Sequence, residues 1–242
     1  MNLCIDQGNS STKVGVFNDD ELIETFVFEQ FDRSEILTLV ERFPIRHCIM
    51  SSVVSDNEEL IENLKTSFES FIELSHETEI PIMNSYATPE TLGKDRLAAV
   101  IGACFLKPDS DILVVDAGTA ITYDFVDAKK IYHGGNIAPG LHLRLRALHE
   151  FTQKLPFVEL KTETPLIGNS TDSAILSGAI YGIVFEIDGY INVLKIKYPQ
   201  LSAFLTGGST FYFDTKLKNA IFAERNLVLI GLNRILQYNV QK

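Results

Sequence analysis

The sequence lacks the features that would direct it to a membrane or an oxidising compartment. No apolar run approaches the roughly 20 residues that a bilayer-spanning helix requires. The start, from Met1 to Asp6, reaches an acidic residue without a basic segment, so we expect no signal peptide. The only three cysteines are widely spaced among apolar residues, which favours buried thiols over a disulfide or zinc site. These features predict a cytoplasmic protein with no membrane partner.

Excess positive charge is also missing. Lysine and arginine number 21 against 32 aspartates and glutamates, which gives a formal net charge of −11. Nucleic-acid binding usually requires a basic face, so we expect no DNA or RNA partner. A small anionic ligand is compatible with this charge, because a local nest of backbone N–H groups can hold an anion.

The chain is long enough for two small domains, and one pattern occurs twice in it. Residues 3–17 read L-C-I-D-Q-G-N-S-S-T-K-V-G-V-F, and residues 113–126 read L-V-V-D-A-G-T-A-I-T-Y-D-F-V. Each copy predicts a strand, an Asp, a Gly-containing turn and a second strand. Turn-forming residues from Pro108 to Asp111 mark a break between the copies. We therefore predict an α/β protein with two similar domains, residues 1–107 and 108–242.

The first copy contains a polar hairpin, Asp6 to Lys13. An ordinary turn has the same composition, since Asp, Gly, Asn and Ser are the commonest turn residues. The alternative is a phosphate site, in which Gly8 allows close backbone approach and Lys13 neutralises charge. Asp6 would hold a hydrated Mg²⁺. The members of this candidate site are Asp6, Gln7, Gly8, Asn9, Ser10, Ser11, Thr12 and Lys13.

The second copy, Asp116 to Ala120, strengthens the phosphate interpretation. One D-x-G-T is weak evidence, but two copies in matching strand–turn–strand contexts can grip a polyphosphate from both sides. Positioning and charge neutralisation are most of what phosphoryl transfer requires. The sequence has no Walker A motif and no GxGxxG, which disfavours a P-loop or Rossmann site.

Three further motifs leave alternatives open. Asp95 in Gly93-Lys94-Asp95-Arg96 is either the N-cap of the following helix or a general base beside an anion-binding Arg96. The glycines in 134–140 and 207–208 serve either turns alone or a ligand site. Thr171 or Asp172 is expected to cap a long apolar helix.

In combination, these motifs resemble the type III pantothenate kinase family, within the acetate and sugar kinase, Hsp70 and actin superfamily. The resemblance covers nearly the whole chain in order, and the G-x-D-R motif with two phosphate motifs is its most specific part. It also includes G-G-x-I-x-P-G at 134–140, G-x-x-T at 168–171 and T-G-G at 206–208. It implies two duplicated ribonuclease H-like domains with mixed sheets flanked by helices and a nucleotide cleft between them.

The resemblance implies transfer of the ATP γ-phosphoryl group to pantothenate, the first step of coenzyme A synthesis. Asp95 would accept the proton, Asp116 would bind potassium or ammonium, and Mg²⁺ would come with ATP. The first hairpin and Thr119 would hold ATP. The family is homodimeric, and Thr171 would reach the partner subunit's site. Pantothenate would be held by Tyr86, Gly93, Lys94, Asp95, Arg96 and Thr171.

Two rival interpretations belong to the same fold. One is a non-catalytic nucleotide-binding regulator, against which the intact Asp95 argues, because a binding module needs no base. The other is another kinase or ATPase of the same superfamily, among which the short chain disfavours the Hsp70-like and actin-like ATPases.

Overall fold

The computed structural model describes residues 1–8, 11–53, 58–161 and 163–240. Within them the chain forms two compact units. Unit 1 comprises 1–109, 130–132 and 226–242, and unit 2 comprises 110–129 and 133–225. Unit 1 thus includes the C-terminal segment as well as the first half of the chain.

Unit 1 contains a mixed five-stranded sheet in the order β3-β2-β1-β4-β5. The central β1 pairs antiparallel with β2 and parallel with β4, so its end lies between two neighbours. Buried apolar side chains of β1, β2 and β4 form one core with the helices α1 and α2. The strands are β1 Asn2–Gln7, β2 Thr12–Asn18, β3 Glu21–Phe28, β4 His47–Ser52 and β5 Ser70–Glu73, and the helices are α1 Arg33–Arg42 and α2 Glu58–Ser67.

Two more helices and a short strand complete unit 1. The helices are α3, Lys94–Leu106, and α6, Leu227–Val240. The two-residue strand β6, Met83–Asn84, pairs in parallel with the first two residues of β9. β9 is Ile131–Pro139.

Unit 2 repeats the arrangement around β7. This strand pairs antiparallel with β8 and parallel with β10, as β1 does with β2 and β4. The sheet order is β11-β10-β7-β8-β9, and α5 supplies many of the buried apolar side chains behind it. The remaining elements are β7 Ile112–Ala117, β8 Ala120–Val126, α4 Leu141–Glu150, α5 Thr171–Lys197, β10 Ser202–Thr206 and β11 Phe222–Ala223. This mixed α/β architecture agrees with the predicted fold class.

Helix α5 corrects one sequence expectation. It has 27 residues and is apolar enough to cross a membrane by length and composition, although we expected no such segment. However, 56% of its most apolar 18-residue window is buried inside the protein. Burial of this kind is typical of a core helix.

Helices α3 and α6 cross at two glycines. A Cβ added at Gly231 would overlap the carbonyl oxygen of Ala98, and one added at Gly102 would overlap that of Leu227. The two backbones therefore touch at this point, where no other residue leaves enough room. This contact joins the end of the chain to the helix that carries the G-K-D-R motif.

We predict that Gly231→Ala destabilises the protein by about 1–3 kcal/mol, because the helices must separate to admit the methyl group. Urea unfolding followed by circular dichroism measures the change in free energy.

Gly178→Ala is the matched control, since an added Cβ at this exposed position of α5 meets no atom within 4 Å. We expect it to be neutral or to stabilise by up to about 1 kcal/mol, through helix propensity. Equal effects of the two substitutions would contradict the close crossing.

Candidate active site

The first hairpin is held at the end of β1. The N–H of Gly8 donates to the carbonyl oxygen of Ser11 at 3.1 Å, which closes the turn. The Ser52 hydroxyl, on the parallel neighbour β4, donates to the side-chain oxygen of Gln7 at 2.7 Å. Thr12 is buried on β2. The predicted phosphate-binding residues Asn9 and Ser10 lie outside the described residues.

Asp6 lies in an unfavourable electrostatic environment. Burial raises the pKa of its carboxyl group to about 6, and the nearby carboxylate of Asp95 adds to the rise. Lys13, directly opposite on β2, lowers the pKa and offsets part of this effect. The structure therefore brings together Asp6, Lys13 and Asp95, three residues that the sequence assigned to two separate motifs.

The beginning of α3 excludes Asp95 as the N-cap of this helix. The N-cap is Gly93, so Asp95 is the second helical residue and is not the cap. Its Oδ1 accepts a hydrogen bond from the N–H of Arg96 at 2.8 Å. A Cβ at Gly93 would come within 2.6 Å of this oxygen, so the glycine leaves space beside the carboxylate.

Arg96 and Tyr86 form a second group at this helix start. Arg96 is only 6% exposed, and its guanidinium carbon lies 5.8 Å from the centroid of the Tyr86 ring. Tyr86 in turn stacks on the buried ring of Tyr132, with 6.1 Å between centroids. Its N–H donates to the side-chain oxygen of Asn84 at 3.0 Å. The aromatic stack thus supports one side of the guanidinium.

Sequence analysis did not find Tyr132. It lies on β9, about 45 residues beyond Tyr86 and outside every motif, so only the pairing of β6 with β9 reveals it.

Lys94 has an acidic partner outside the motif. Its Nζ lies 3.9 Å from a carboxylate oxygen of Glu73. It also lines a cavity of about 480 Å³ together with Ser75, His76, Asn84 and Leu97. Tyr86, Asp95 and Arg96 are not among the lining residues, whereas Asn84, which accepts a hydrogen bond from the Tyr86 N–H, is one of them.

The second hairpin follows β7, and a glycine N–H closes it too, over a shorter span than in the first. The N–H of Gly118 donates to the carbonyl oxygen of Ala120 at 3.1 Å. Asp116 is half-buried near the end of β7, and Thr119 is exposed at the turn. Asp116 pairs with Thr122 six positions later, whereas Asp6 pairs with Lys13 seven positions later, so the second turn is one residue shorter than the first.

Two glycine segments pack on this second hairpin. A Cβ at Gly140 would overlap the carbonyl oxygens of Gly118 and Thr119. Gly207 has a positive φ of 96°, and an added Cβ there would come within 2.5 Å of the Asp116 carboxylate. Glycine is thus required at both positions by close backbone approach, and these motifs do more than form turns.

A polar network fixes the Gly140 segment. Arg144, on α4, donates from Nε to the carbonyl oxygen of Pro139 at 2.8 Å and from Nη2 to Glu186 at 2.6 Å. The buried Tyr123 hydroxyl donates to the other oxygen of Glu186 at 2.7 Å. This network ties the segment beside the hairpin to α5 and β8.

The N-terminus of α5 corrects the predicted cap. Ser170 is the N-cap, and its hydroxyl accepts from the N–H of Ser173, whereas Thr171 is the first helical residue and is exposed. A Cβ at Gly168 would overlap the backbone of Ser173 and Ala174. The G-x-x-T sequence therefore wraps tightly over the helix start and leaves the Thr171 side chain at the surface.

Two buried hydroxyl groups next to the hairpin aspartates were also missed. Ser51 is the parallel neighbour of Asp6, and Thr122 is the antiparallel neighbour of Asp116. Neither hydroxyl oxygen has a hydrogen-bond partner within the described residues. Their position follows from strand register, which a local sequence motif does not encode.

Comparison with known sequences identifies close relatives. The sequence profile described as type III pantothenate kinase matches residues 2–193. The type III pantothenate kinase of Phocaeicola vulgatus is 52% identical over 239 residues, with 99% of both chains covered. That of Christiangramia forsetii is 45% identical over 241 residues, again with 99% of both chains covered.

Solved structures show a shared fold at lower identity. A Campylobacter jejuni protein described as a Baf family transcriptional activator has a TM-score of 0.65 at 23% identity and covers 99% of this chain and 100% of its own. A ROK family glucokinase from Streptomyces griseus has a TM-score of 0.55 at 10% identity, with 98% and 99% covered. At these identities the likeness concerns fold alone.

The environment of Asp6 predicts that Asp6→Asn stabilises the protein above about pH 6 by on the order of 2 kcal/mol. Because folding raises the pKa of this carboxyl group, the folded state retains a proton that the unfolded chain releases. The contribution of this proton to the free energy of unfolding is therefore complete below the pKa of the unfolded chain. It is lost as the pH rises through the pKa of the folded state. Urea unfolding of both proteins at about pH 4 and about pH 8 measures the difference.

Glu41→Gln, at an exposed position of α1, is the control for loss of one negative charge. Equal gains for Asp6→Asn at the two pH values would refute a charge-burial penalty at Asp6.

Proposed function

Because the chain belongs to the type III pantothenate kinase family, we propose that it transfers the ATP γ-phosphoryl group to pantothenate. The product is 4′-phosphopantothenate, and the reaction is the first step of coenzyme A synthesis. The observation that carries this proposal is the end-to-end match to a type III pantothenate kinase at 52% identity. The chain acts in the cytoplasm and has no membrane or nucleic-acid partner.

Asp95 is the proton acceptor for the attacking pantothenate hydroxyl group. Two observations support this role: Asp95 is not the helix cap, and Gly93 leaves space beside its carboxylate. A hydrogen bond from the N–H of Arg96 orients Oδ1. A base held in this way accepts a proton in the transition state, while most of the remaining catalysis is positioning.

Arg96 and Tyr86 hold the acceptor. A buried guanidinium supported by an aromatic ring is a strong and oriented partner for a carboxylate such as that of pantothenate. Gly93 and Lys94 belong to the same helix start, and Thr171 provides an exposed hydroxyl at the N-terminus of α5.

ATP is held by the two hairpins. In the first, the turn closed by Gly8, the hydroxyls of Ser11 and Thr12 and the ammonium of Lys13 suit phosphate oxygens. Gln7, Asn9 and Ser10 complete this set. In the second, Thr119 is exposed at the turn and supplies a hydroxyl.

Mg²⁺ comes with ATP, and Asp6 is suited to a water-mediated contact with it. Neutralisation by a divalent ion would also relieve the charge burial that raises the pKa of Asp6.

Asp116 is suited to a monovalent cation, potassium or ammonium. Asp116 pairs across the strands with Thr122, whose buried hydroxyl oxygen has no hydrogen-bond partner among the described residues, and oxygen atoms of these types are the donors that hard cations prefer. The described residues contain no group of three or more His, Cys, Asp or Glu able to hold a metal. The other ligands would therefore be neutral protein oxygens, water or nucleotide oxygens.

We predict that the purified protein forms ADP and phosphopantothenate from ATP, Mg²⁺, potassium and pantothenate. Asp95→Asn is expected to lower kcat by about 10²-fold or more, because the amide cannot accept the proton. A coupled ADP assay and chromatographic detection of the product measure both.

Nucleotide binding by Asp95→Asn is the control and should persist. Absence of pantothenate-dependent turnover in the unmodified protein would refute the proposed enzyme. Near-normal kcat in the variant would refute Asp95 as the proton acceptor but would not refute the proposed reaction.

A second copy of the chain docks on the apolar surface around α4 and the segment that follows it. Many large apolar side chains are exposed there, and Thr171 begins α5 only four residues beyond the last of them. An interface on this surface would place Thr171 at its edge, close to the partner. These exposed side chains are Ile137, Leu143, Leu148, Phe151, Phe157, Leu166 and Ile167.

We predict a dimer of the full chain in sedimentation velocity and a shift toward monomer for Ile167→Asp, which would bury a charge in an apolar contact. The matched control is Val27→Asp on β3, another exposed apolar residue. A monomeric unmodified chain would contradict the proposed dimer, and an unchanged dimer in Ile167→Asp would contradict this surface.

A further inference from the structure

The two hairpins differ at one equivalent position. In β1 and β2, Asp6 pairs with Lys13, and in β7 and β8, Asp116 pairs with Thr122. Directly opposite residues in an antiparallel pair point to the same face, about 5 Å apart. The position beside the aspartate therefore carries an ammonium group in unit 1 and a hydroxyl group in unit 2.

Lys13 acts on Asp6 as a built-in cation. It lowers the pKa of the Asp6 carboxyl group, so its charge is felt there. Asp116 has no lysine at the equivalent place, although its strand context is the same.

The buried hydroxyl group of Thr122 is the second observation at this position. Its Oγ1 is buried and finds no hydrogen-bond partner among the described residues. A buried hydroxyl left without a partner costs about 1–3 kcal/mol, so such atoms usually have one. A cation beside Asp116 would provide it. The parallel neighbour Thr206 is also buried, and Gly207 packs closely on the carboxylate.

We infer that Thr122 is a ligand of the monovalent cation at Asp116, and that this cation occupies the place that the Lys13 ammonium has beside Asp6. The inference rests on the proposed function for the presence of a cation at Asp116. The second hairpin would require an exchangeable ion because no lysine lies opposite Asp116.

The decisive substitution is Thr122→Lys, which supplies the missing ammonium. Affinity for a non-hydrolysable ATP analogue with Mg²⁺ is measured by calorimetry in potassium and in choline, without pantothenate. The unmodified protein should bind about tenfold more tightly in potassium, the effect of roughly one lost ligand contact. In both salts, Thr122→Lys should bind the nucleotide about as tightly as the unmodified protein does in potassium. Thr122→Met, similar in bulk but uncharged, should bind it weakly in both salts.

Cation binding itself is measured by thallium NMR, with thallium as the potassium probe. The unmodified protein should bind thallium in competition with potassium, and Thr122→Lys should not. Potassium dependence in Thr122→Lys equal to that of the unmodified protein would overturn the inference. So would the absence of any potassium or thallium effect in the unmodified protein.

Thr122→Val keeps the side-chain shape and removes only the oxygen, so it decides the matter if Thr122→Lys does not fold. Half-saturating potassium should rise about tenfold, and an unchanged value would overturn the inference. None of these measurements requires turnover. Failure to phosphorylate pantothenate would therefore refute the proposed function and leave this test intact.

Discussion

The crossing of α3 and α6 determines how the first unit is assembled. The two helices meet backbone to backbone at Gly102 and Gly231, so neither can shift without a steric clash. Asn233, on α6, accepts a hydrogen bond from the Asn2 side chain and donates one to the carbonyl oxygen of Asp19. Helix α6 therefore connects α3 to β1 and to the turn after β2. Through these contacts α6 fixes α3 relative to β1, the two elements that carry Asp95 and Asp6.

This placement has an electrostatic cost. It brings the carboxylates of Asp6 and Asp95 close enough to repel, and burial adds to the rise in the Asp6 pKa. Lys13 offsets only part of the effect. Hydrophobic burial elsewhere in the unit sustains this arrangement, as is usual where a site demands charge in a dry environment. A bound divalent ion and nucleotide would use the same charges that weaken the empty fold.

The sequence predicted those parts of the candidate site that depend on local residues. The two hairpins and the helix start at Gly93 are each encoded within a few positions, so motif and turn chemistry located them. Thr171 was misassigned as a cap because Ser170, an equally suitable residue, is next to it, and the close packing of Gly168 selects between them. Tyr132 depends on strand pairing over a long separation, which single-sequence patterns do not encode. The predicted domain division stays a prediction.

The difference between Lys13 and Thr122 gives the two hairpins different responses to their surroundings. A lysine brings its charge at fixed stoichiometry, but ordering it costs about 2 kcal/mol of side-chain entropy. An exchangeable cation avoids this cost, and its occupancy depends on its concentration. The charge beside Asp6 is therefore independent of salt, whereas the charge that the inferred cation would bring beside Asp116 varies with the concentration of that ion. With the inferred cation, a duplicated strand pair thus carries a permanent positive charge beside one aspartate and a conditional one beside the other, and a single side chain makes the difference.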